Sequence, residues 1–560
     1  MANNRSGRKS GSLAKGGEIN DHQALSFDQA GTDAEESRDI LAASAPATSA
    51  AGQDGNADGL PTTAVDQDEV MTLLAPFISN PEGSVYAVTN LPEEFVAVLF
   101  AWVSRSSKSF KEHLLQAIKD GHIDMNKYKD ANAFEQLTEK ASAFHEKWTV
   151  GYGHSSVAEH AITHVGIEKV SRLASAELEL SNEFYSITEY SQRYQKPVLG
   201  GWYNPYGTEA EAGDTDDWMI YETFMHRSYI VFEQLIEGVK RHFMAQEDKQ
   251  LQAMSPKQYE RRMAAIEKLA FEDARYALPL AMHTQLGMTA NGRAWRDGLV
   301  NLYSSDYRET RQLADDLKNE ITKVLPTLLK YANPSQYQIN SKKRNKAFFN
   351  GAKGQGEGQA ARLISFPDER AGLNTLLALV YVEQYGIPFN EALARAGTMS
   401  DENMKKFMDG MMFEFGKFDN PPEAFKQLDY RAELLISEAN WHQLLRHNRK
   451  TNFIFNEPTP YQGITIPPRI REAGLEDLLI LHANLAESMF KGMEADIAPY
   501  VVLNAHRRRI VAHFDLWEAY HLINLRTSEE AQWDIRQTFT DLYNQLMFVN
   551  PNLIQYAKRR

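Results

Sequence analysis

Residues 430–461 read YRAELLISEANWHQLLRHNRKTNFIFNEPTPY, and residues 164–194 read HVGIEKVSRLASAELELSNEFYSITEYSQRY. Each is read as a long helix running into a polar segment, with Ile162, Val165, Val170, Leu173 and Leu178 carrying the helical period around the earlier one. The likeness extends outward. RLISFPDERAGLNTLLALVYVEQYG (362–386) repeats the strand, turn and apolar helix read from GSVYAVTNLPEEFVAVLFAWVSRS (83–106), and LPTLLKYANP (325–334) is matched by NPNLIQYAKR (550–559). Self-similarity at this scale points to a tandem duplication. The boundaries are a tail at 1–75, a first copy at 80–335, a linker at 336–360 and a second copy at 361–560.

Composition narrows the function. A chain of 560 residues exceeds one ordinary core. It has no cysteine, which excludes a thiol nucleophile, thiolate metal sites and disulfides. The net charge of −15 argues against a nucleic-acid partner. Residues 1–70 hold five Lys/Arg and twelve Asp/Glu with almost no aromatic residues, the composition of an acidic, disordered tail. No apolar run approaches the ~20 residues of a membrane span, and no signal core is read at the start, so a cytoplasmic chain without a membrane partner is expected. In 340–362 the KKRNK run is read as solvated linker, and GAKGQGEG lacks the GK[ST] of a phosphate loop.

The polar residues that carry chemistry fall in both copies. GYGHSSVAEHAITH gathers His154, Ser156, Glu159, His160 and His164, but without the HExxH spacing of a zinc site, and no metal is expected. Arg275, Asn291 and Arg293 stand in apolar surroundings, where a buried cation needs a partner: an anionic ligand or an acidic side chain. In the second copy Gln443, Arg446, His447 and Arg449 cluster at a helix end. Basic groups there complement the helix dipole, or bind an anion through bidentate bonds. Arg526 stands at a helix break before TSEEAQ, read as a capping box. Arg507, Arg508 and Arg509 are read as a solvated helix face.

These residues resemble the flavin-dependent thymidylate synthases, whose hallmark is RHR, then NE, S and RY. The resemblance implies an α+β fold of two helix-plus-sheet copies. It also implies methylation of dUMP to dTMP with methylenetetrahydrofolate as carbon donor, FAD as hydride carrier and NADPH as reductant. The family does without a cysteine nucleophile, as a cysteine-free chain must. Neither copy keeps the whole pattern. The first has Ser181, Asn182 and Glu183 at the RHR positions and Leu302 where an arginine activates the uracil. It keeps Glu189, Ser191, Arg193 and Tyr194, and Arg275. It also keeps the flavin elements His154, Ser156, Glu159, Asn291 and Arg293. The second keeps Gln443, Arg446, His447, Arg449, His521 and Arg526, with Asn448 inserted before Arg449. There Pro499 stands at the Arg275 position, and Asp515 and Trp517 replace Asn-x-Arg.

The losses are complementary. In the family one dUMP site draws RHR and the activating arginine from one subunit, and the SxRY segment and second arginine from another. The resemblance therefore implies one composite site. Arg526 is its catalytic group. Gln443, Arg446, Glu189, Ser191, Arg193 and Arg275 bind substrate, and His154, Ser156, Glu159, Asn291, Arg293, His447, Arg449 and His521 bind cofactor. Partners are the small molecules dUMP and folate, and a homodimer acting as a pseudo-tetramer. The competing reading is a non-catalytic or regulatory homologue that binds nucleotide or flavin.

Overall fold

Strand and helix follow one another in the same order twice. The computed structural model describes residues 67–84, 86–103, 108–120, 155–193, 196–208, 211, 215–349, 354, 356–416 and 418–557. Most of the predicted tail, His154 and Tyr194 lie outside these. In the first half, β1 (Ile162–Ser171), α1 (Arg172–Leu180), β2 (Ser186–Glu189), β3 (His283–Asn291), α2 (Gly292–Tyr303) and α3 (Arg308–Thr322) succeed one another. After the connecting α4 (Gln336–Phe348) come β4 (Ala361–Ser365), β5 (Asp429–Ser437), α5 (Glu438–Leu444), β6 (Asn452–Phe455), β7 (Arg507–Asp515), α6 (Leu516–Arg526) and α7 (Trp533–Val549). The strands form two antiparallel sheets, ordered β1-β3-β2 and β4-β5-β7-β6.

Several local expectations are corrected. Ile162, Val165 and Val170 belong to a strand, and helix begins only at Arg172. A bulge between Glu168 and Val170, with Lys169 at φ 56°, interrupts the two-residue alternation and leaves spacings that mimic a helix. The 83–88 segment contributes an isolated bridge, Ile78 to Val88, rather than a strand. Helix Glu93–Val103 and the β4-to-helix unit ending at Tyr385 form as expected. Arg507–Arg509 open β7, not a helix face. Strand alternation turns Arg508 to the side of Ile510, Ala512 and Phe514, where it is buried and bonds Glu438 at 2.9 Å. Helix α7 is capped by Gln532, whose side chain accepts from Asp534 N, rather than by a box starting at Thr527. The linker contains α4, capped by Ser335 and with no buried residue.

The halves share capping positions at the strand-to-helix turns. Ser171 caps α1 and Ser437 caps α5; Asn291 caps α2 and Asp515 caps α6. Ser171 Oγ bonds Glu309 and Ser437 Oγ bonds Asp534, each at 2.5 Å. The halves cross where 276–282 runs antiparallel to 500–506. Leu280 N donates to Val502 O at 2.8 Å and Asn504 N to Leu278 O at 2.9 Å. Ala281 N donates to Tyr500 O at 3.1 Å and Ala505 N to Tyr276 O at 3.0 Å. Such reciprocal bonds mark a local two-fold relation, with the Pro279–Leu503 bridge at its centre.

Each sheet has its own core, around Trp295 and Leu299 in the first half and Tyr430 and Phe539 in the second. A third core draws on both: Phe224 and Phe232 of helix Asp216–Gln246 pack with Tyr276, Tyr500 and Leu479. Each such side chain contributes ~1.5–3 kcal/mol on burial. Gln67–Arg560 accordingly close into one compact unit. Among the described residues no helix is long and apolar enough to cross a membrane.

Candidate active site

Helix α5 delivers Gln443 and then, in the turn that ends it, Arg446 and His447. Nine residues separate the Ser437 cap from Arg446, so the counterpart of Arg446, nine residues after Ser171, is Leu180, and that of His447 is Ser181. This is one residue earlier than the sequence alignment set them. Arg446 Nη2 reaches Glu189 Oε2 of the first half at 3.0 Å and its Nε lies 4.0 Å from Glu179. Glu189, at the end of β2, also accepts from Arg172 at 2.5 Å and from Ser175 Oγ at 3.0 Å. Burial alone would raise its pKa, but Arg172 and Arg446 outweigh that and hold it below the usual carboxylate range. Glu179 is pushed up, by burial and then by the Glu189 charge.

Arg193 approaches from the loop after β2. Its backbone N donates to Ser191 Oγ at 3.3 Å, its Nη2 to the Glu530 carbonyl at 3.3 Å, and its Nε lies 3.4 Å from Glu272. Arg275 is buried at the crossing, with Nε donating to the Glu272 carbonyl at 3.2 Å. Its Nη2 is buried with no hydrogen-bond partner among the described residues. Burial lowers its pKa, and Arg172 and Arg193 act on it. A buried guanidinium nitrogen without an acceptor is a costly arrangement in a folded protein, and an anion would relieve it.

Arg526 ends α6. Its Nη2 donates to the Gln443 carbonyl at 2.7 Å and its Nε to His447 Nε2 at 3.0 Å. Burial, then the charges of Arg446 and Arg193, lower its pKa to about 10. A guanidinium only donates, so His447 Nε2 is the acceptor and its proton sits on Nδ1, 3.0 Å from Glu518 Oε1. Burial lowers the His447 pKa to about 3, and burial raises that of Glu518 to about 7. His447, Glu518 and His521 bring possible metal-ligand atoms within 4.8 Å of one another. With Arg526 donating to His447 Nε2, the arrangement is a hydrogen-bonded chain aimed at the arginine.

The structure thus brings Gln443, Arg446, Glu189, Arg193, Ser191, Arg275 and Arg526 into one region drawn from both halves. The residues assigned to cofactor divide. His447 and His521 lie beside Arg526, with ring centroids 5.4 Å apart. Arg449 is tied across the halves to the carbonyls of Glu183 and Tyr185 and to Ser186 Oγ. Ser156 and Glu159 lie in the turn before β1, with Glu159 2.5 Å from Arg293, and Asn291 spends its Oδ1 on the α2 cap. Asn291 and Arg293 stand at the opposite end of α2 from Leu302, roughly 14–16 Å away at 1.5 Å per residue. Among the described residues no bond joins them to the arginine group. Sequence reasoning missed Arg172, Glu179, Glu272 and Glu518. The first two were legible as an opposite-charge pair at the two ends of SRLASAELEL.

Fold and site together define an α+β protein that sets guanidinium groups of one half against carboxylates of the other. The family model described as "Thymidylate synthase complementing protein" matches residues 86–327 and 379–552, more than half of the chain, and the chain belongs to that family, the flavin-dependent thymidylate synthases. The protein is similar to "UPF0159 protein Ta1429" of Thermoplasma acidophilum, 25% identical over 459 residues, covering 76% of this chain and 90% of the relative. It is similar to a "UPF0159 protein" of Chlamydia muridarum, 23% identical over 521 residues, covering 87% and 93%. A "Flavin-dependent thymidylate synthase" of Thermococcus onnurineus is 31% identical over 196 residues, covering 35% of this chain and 68% of that one.

Proposed function

We propose that the chain is two diverged copies of a thymidylate synthase-like domain and methylates dUMP to dTMP at the single arginine group they share. The observation that carries this reading is the contact of Arg446 and Arg193 with residues of the opposite half, around the unpartnered Nη2 of Arg275. The dUMP phosphate takes Arg446 and Arg275 through charge-assisted bonds, with Arg193 and Ser191 closing beside it. Arg446 exchanges Glu189 for phosphate, while Glu189 stays with Arg172. Arg526, held in one orientation by Gln443 and His447, faces the uracil and stabilises negative charge developing on the ring. That charge makes C5 nucleophilic toward the methylene carbon of methylenetetrahydrofolate: the C5–CH2 bond forms as one folate C–N bond breaks, C5 then gives up its proton, and tetrahydrofolate leaves as the second C–N bond breaks.

When bound and reduced by NADPH, FAD would supply the hydride that completes the methyl group. The rings of His447, His521 and Trp517 lie in series beside Arg526, and Trp517 Nε1 is buried without an acceptor among the described residues; a flat ring with acceptor atoms fits both features. Ser156, Glu159, Asn291 and Arg293 make no bond to the arginine group among the described residues, Glu159 pairing with Arg293 and Asn291 capping α2. They would hold FAD against the site of a second chain, in a homodimer acting as a pseudo-tetramer.

The purified protein should be yellow or become so with FAD, should bleach with NADPH, and should release tritium from C5-labelled dUMP only when NADPH and methylenetetrahydrofolate are both present. A protein that takes up flavin or nucleotide but releases no tritium supports the non-catalytic reading instead. The Glu518–His447–Arg526 chain adds a pH dependence. Glu518 gains its charge as pH rises through about 7, strengthening its hold on His447 Nδ1–H and making Nε2 a better acceptor for Arg526. Turnover should therefore rise through that pH, and Glu518→Gln should flatten the profile. An unchanged inflection in Glu518→Gln would assign it to another group.

A further inference from the structure

The two-fold relation that builds the arginine group also builds its counterpart, and there a cavity of about 430 Å³ opens, within the ordinary size of a small-molecule site. Counting from the shared caps, Glu177 stands in the place of Gln443, Leu180 in that of Arg446 and Leu302 in that of Arg526. The strand register places Phe455 opposite Ile510 as Glu189 is opposite Leu286, so Phe455 replaces the carboxylate. The phosphate-holding groups have become apolar. Trp441 is fully buried in the wall, its ring 4.9 Å from that of Phe455, and its Nε1 has no acceptor among the described residues. Two carboxylates remain, each held by a hydroxyl of one turn: Ser305 Oγ donates to Glu177 at 2.5 Å and Tyr307 OH donates to Glu457. The outer wall is α4, through Tyr337, Gln338, Ser341 and Lys342. Of the two cations that line the cavity, Arg508 bonds Glu438 through its Nε and lies over the rings of Trp441 and Phe455, and Lys342 stands on the exposed helix.

We propose that this cavity binds a nucleoside whose base carries an amino group, without its phosphate. The argument rests on the reading of the arginine group as a nucleotide site, because the cavity keeps the same framework around a different lining. An apolar floor with two aromatic rings suits a heteroaromatic ring. Carboxylates accept and do not donate when ionised, so above the pKa of about 7 to which burial raises Glu177, Glu177 and Glu457 select a base edge that presents N–H groups. The unpartnered indole N–H of Trp441 meets a ring nitrogen or carbonyl on the same base. A phosphate there would face two carboxylates, Glu177 and Glu457. Uracil and thymine, with carbonyls on both sides of their one ring N–H, match this edge poorly.

The test is calorimetric titration of the full chain with cytidine, adenosine and guanosine, against uridine, thymidine and dUMP. At least one amino-bearing nucleoside should bind at one site per chain, about tenfold or more tighter than uridine. Ser341→Trp fills the cavity from an exposed helix without touching the core. This variant and Glu177→Gln should each weaken that nucleoside at least about tenfold and leave dUMP binding unchanged. Arg446→Ala should do the reverse. Absence of saturable binding by all three nucleosides, equal binding of uridine, or binding lost on Arg446→Ala and kept in Ser341→Trp overturns the proposal. Failure of dUMP to bind anywhere overturns the reading of the arginine group instead.

Discussion

Arg526→Ala should lower kcat for dTMP formation about 10²–10³-fold, about 3–4 kcal/mol of transition-state stabilisation, while the Kd for dUMP changes no more than about threefold. The large effect follows from how the side chain is held. Its Nε and one Nη are bound to His447 and Gln443, so the guanidinium reorganises little when charge appears on the ring. Burial beside Arg446 and Arg193 makes it a cation short of negative charge. The ground-state phosphate contacts belong to other residues, so they should survive its removal. A proportional loss of binding and turnover would make Arg526 a substrate anchor rather than the catalytic group.

Glu189→Ala should be the most damaging change to stability, costing about 3–5 kcal/mol, because it leaves a buried guanidinium uncompensated. Arg172 is only 5% exposed, and its one side-chain partner among the described residues is Glu189 at 2.5 Å. Urea unfolding of Glu189→Ala against Glu189→Gln checks this, the amide keeping the hydrogen bonds and costing less. Glu189 also sets the electrostatics of the site, since it neutralises Arg446 until an anion arrives. In the folded fraction of Glu189→Ala, dUMP affinity should therefore hold or increase. A loss of affinity would make Glu189 a direct substrate ligand.

The parts of this architecture that could be read from sequence are those set by local spacing. The ends of α5 and α6 show as apolar periods stopped by Arg446 and Arg526, and the β4-to-helix unit shows as a strand, a turn and an uninterrupted apolar run. The positions of Pro499, Asp515 and Trp517 opposite Arg275, Asn291 and Arg293 agree with the observed register. What remained hidden depends on partners distant in the chain. Lys169, in a left-handed conformation at a bulge, hides the alternation of β1. Arg508 is indistinguishable from its solvated neighbours until Glu438, 70 residues away, is found beside it. Glu518 is an ordinary first-turn acid of α6 until His447 lies against it. Asn456 and Glu457 resemble the NE of the hallmark, yet the β6–β7 register puts Phe455 in the place of Glu189, two residues earlier.

The most direct measurement of the central claim is equilibrium dialysis of labelled dUMP against the intact chain and two single variants, Arg446→Ala from the second half and Arg193→Ala from the first. One dUMP per chain should bind, and either substitution should weaken that same site by about tenfold or more. Two equivalent sites per chain, or a site that responds to one of these arginines and ignores the other, would contradict a cleft shared between the halves.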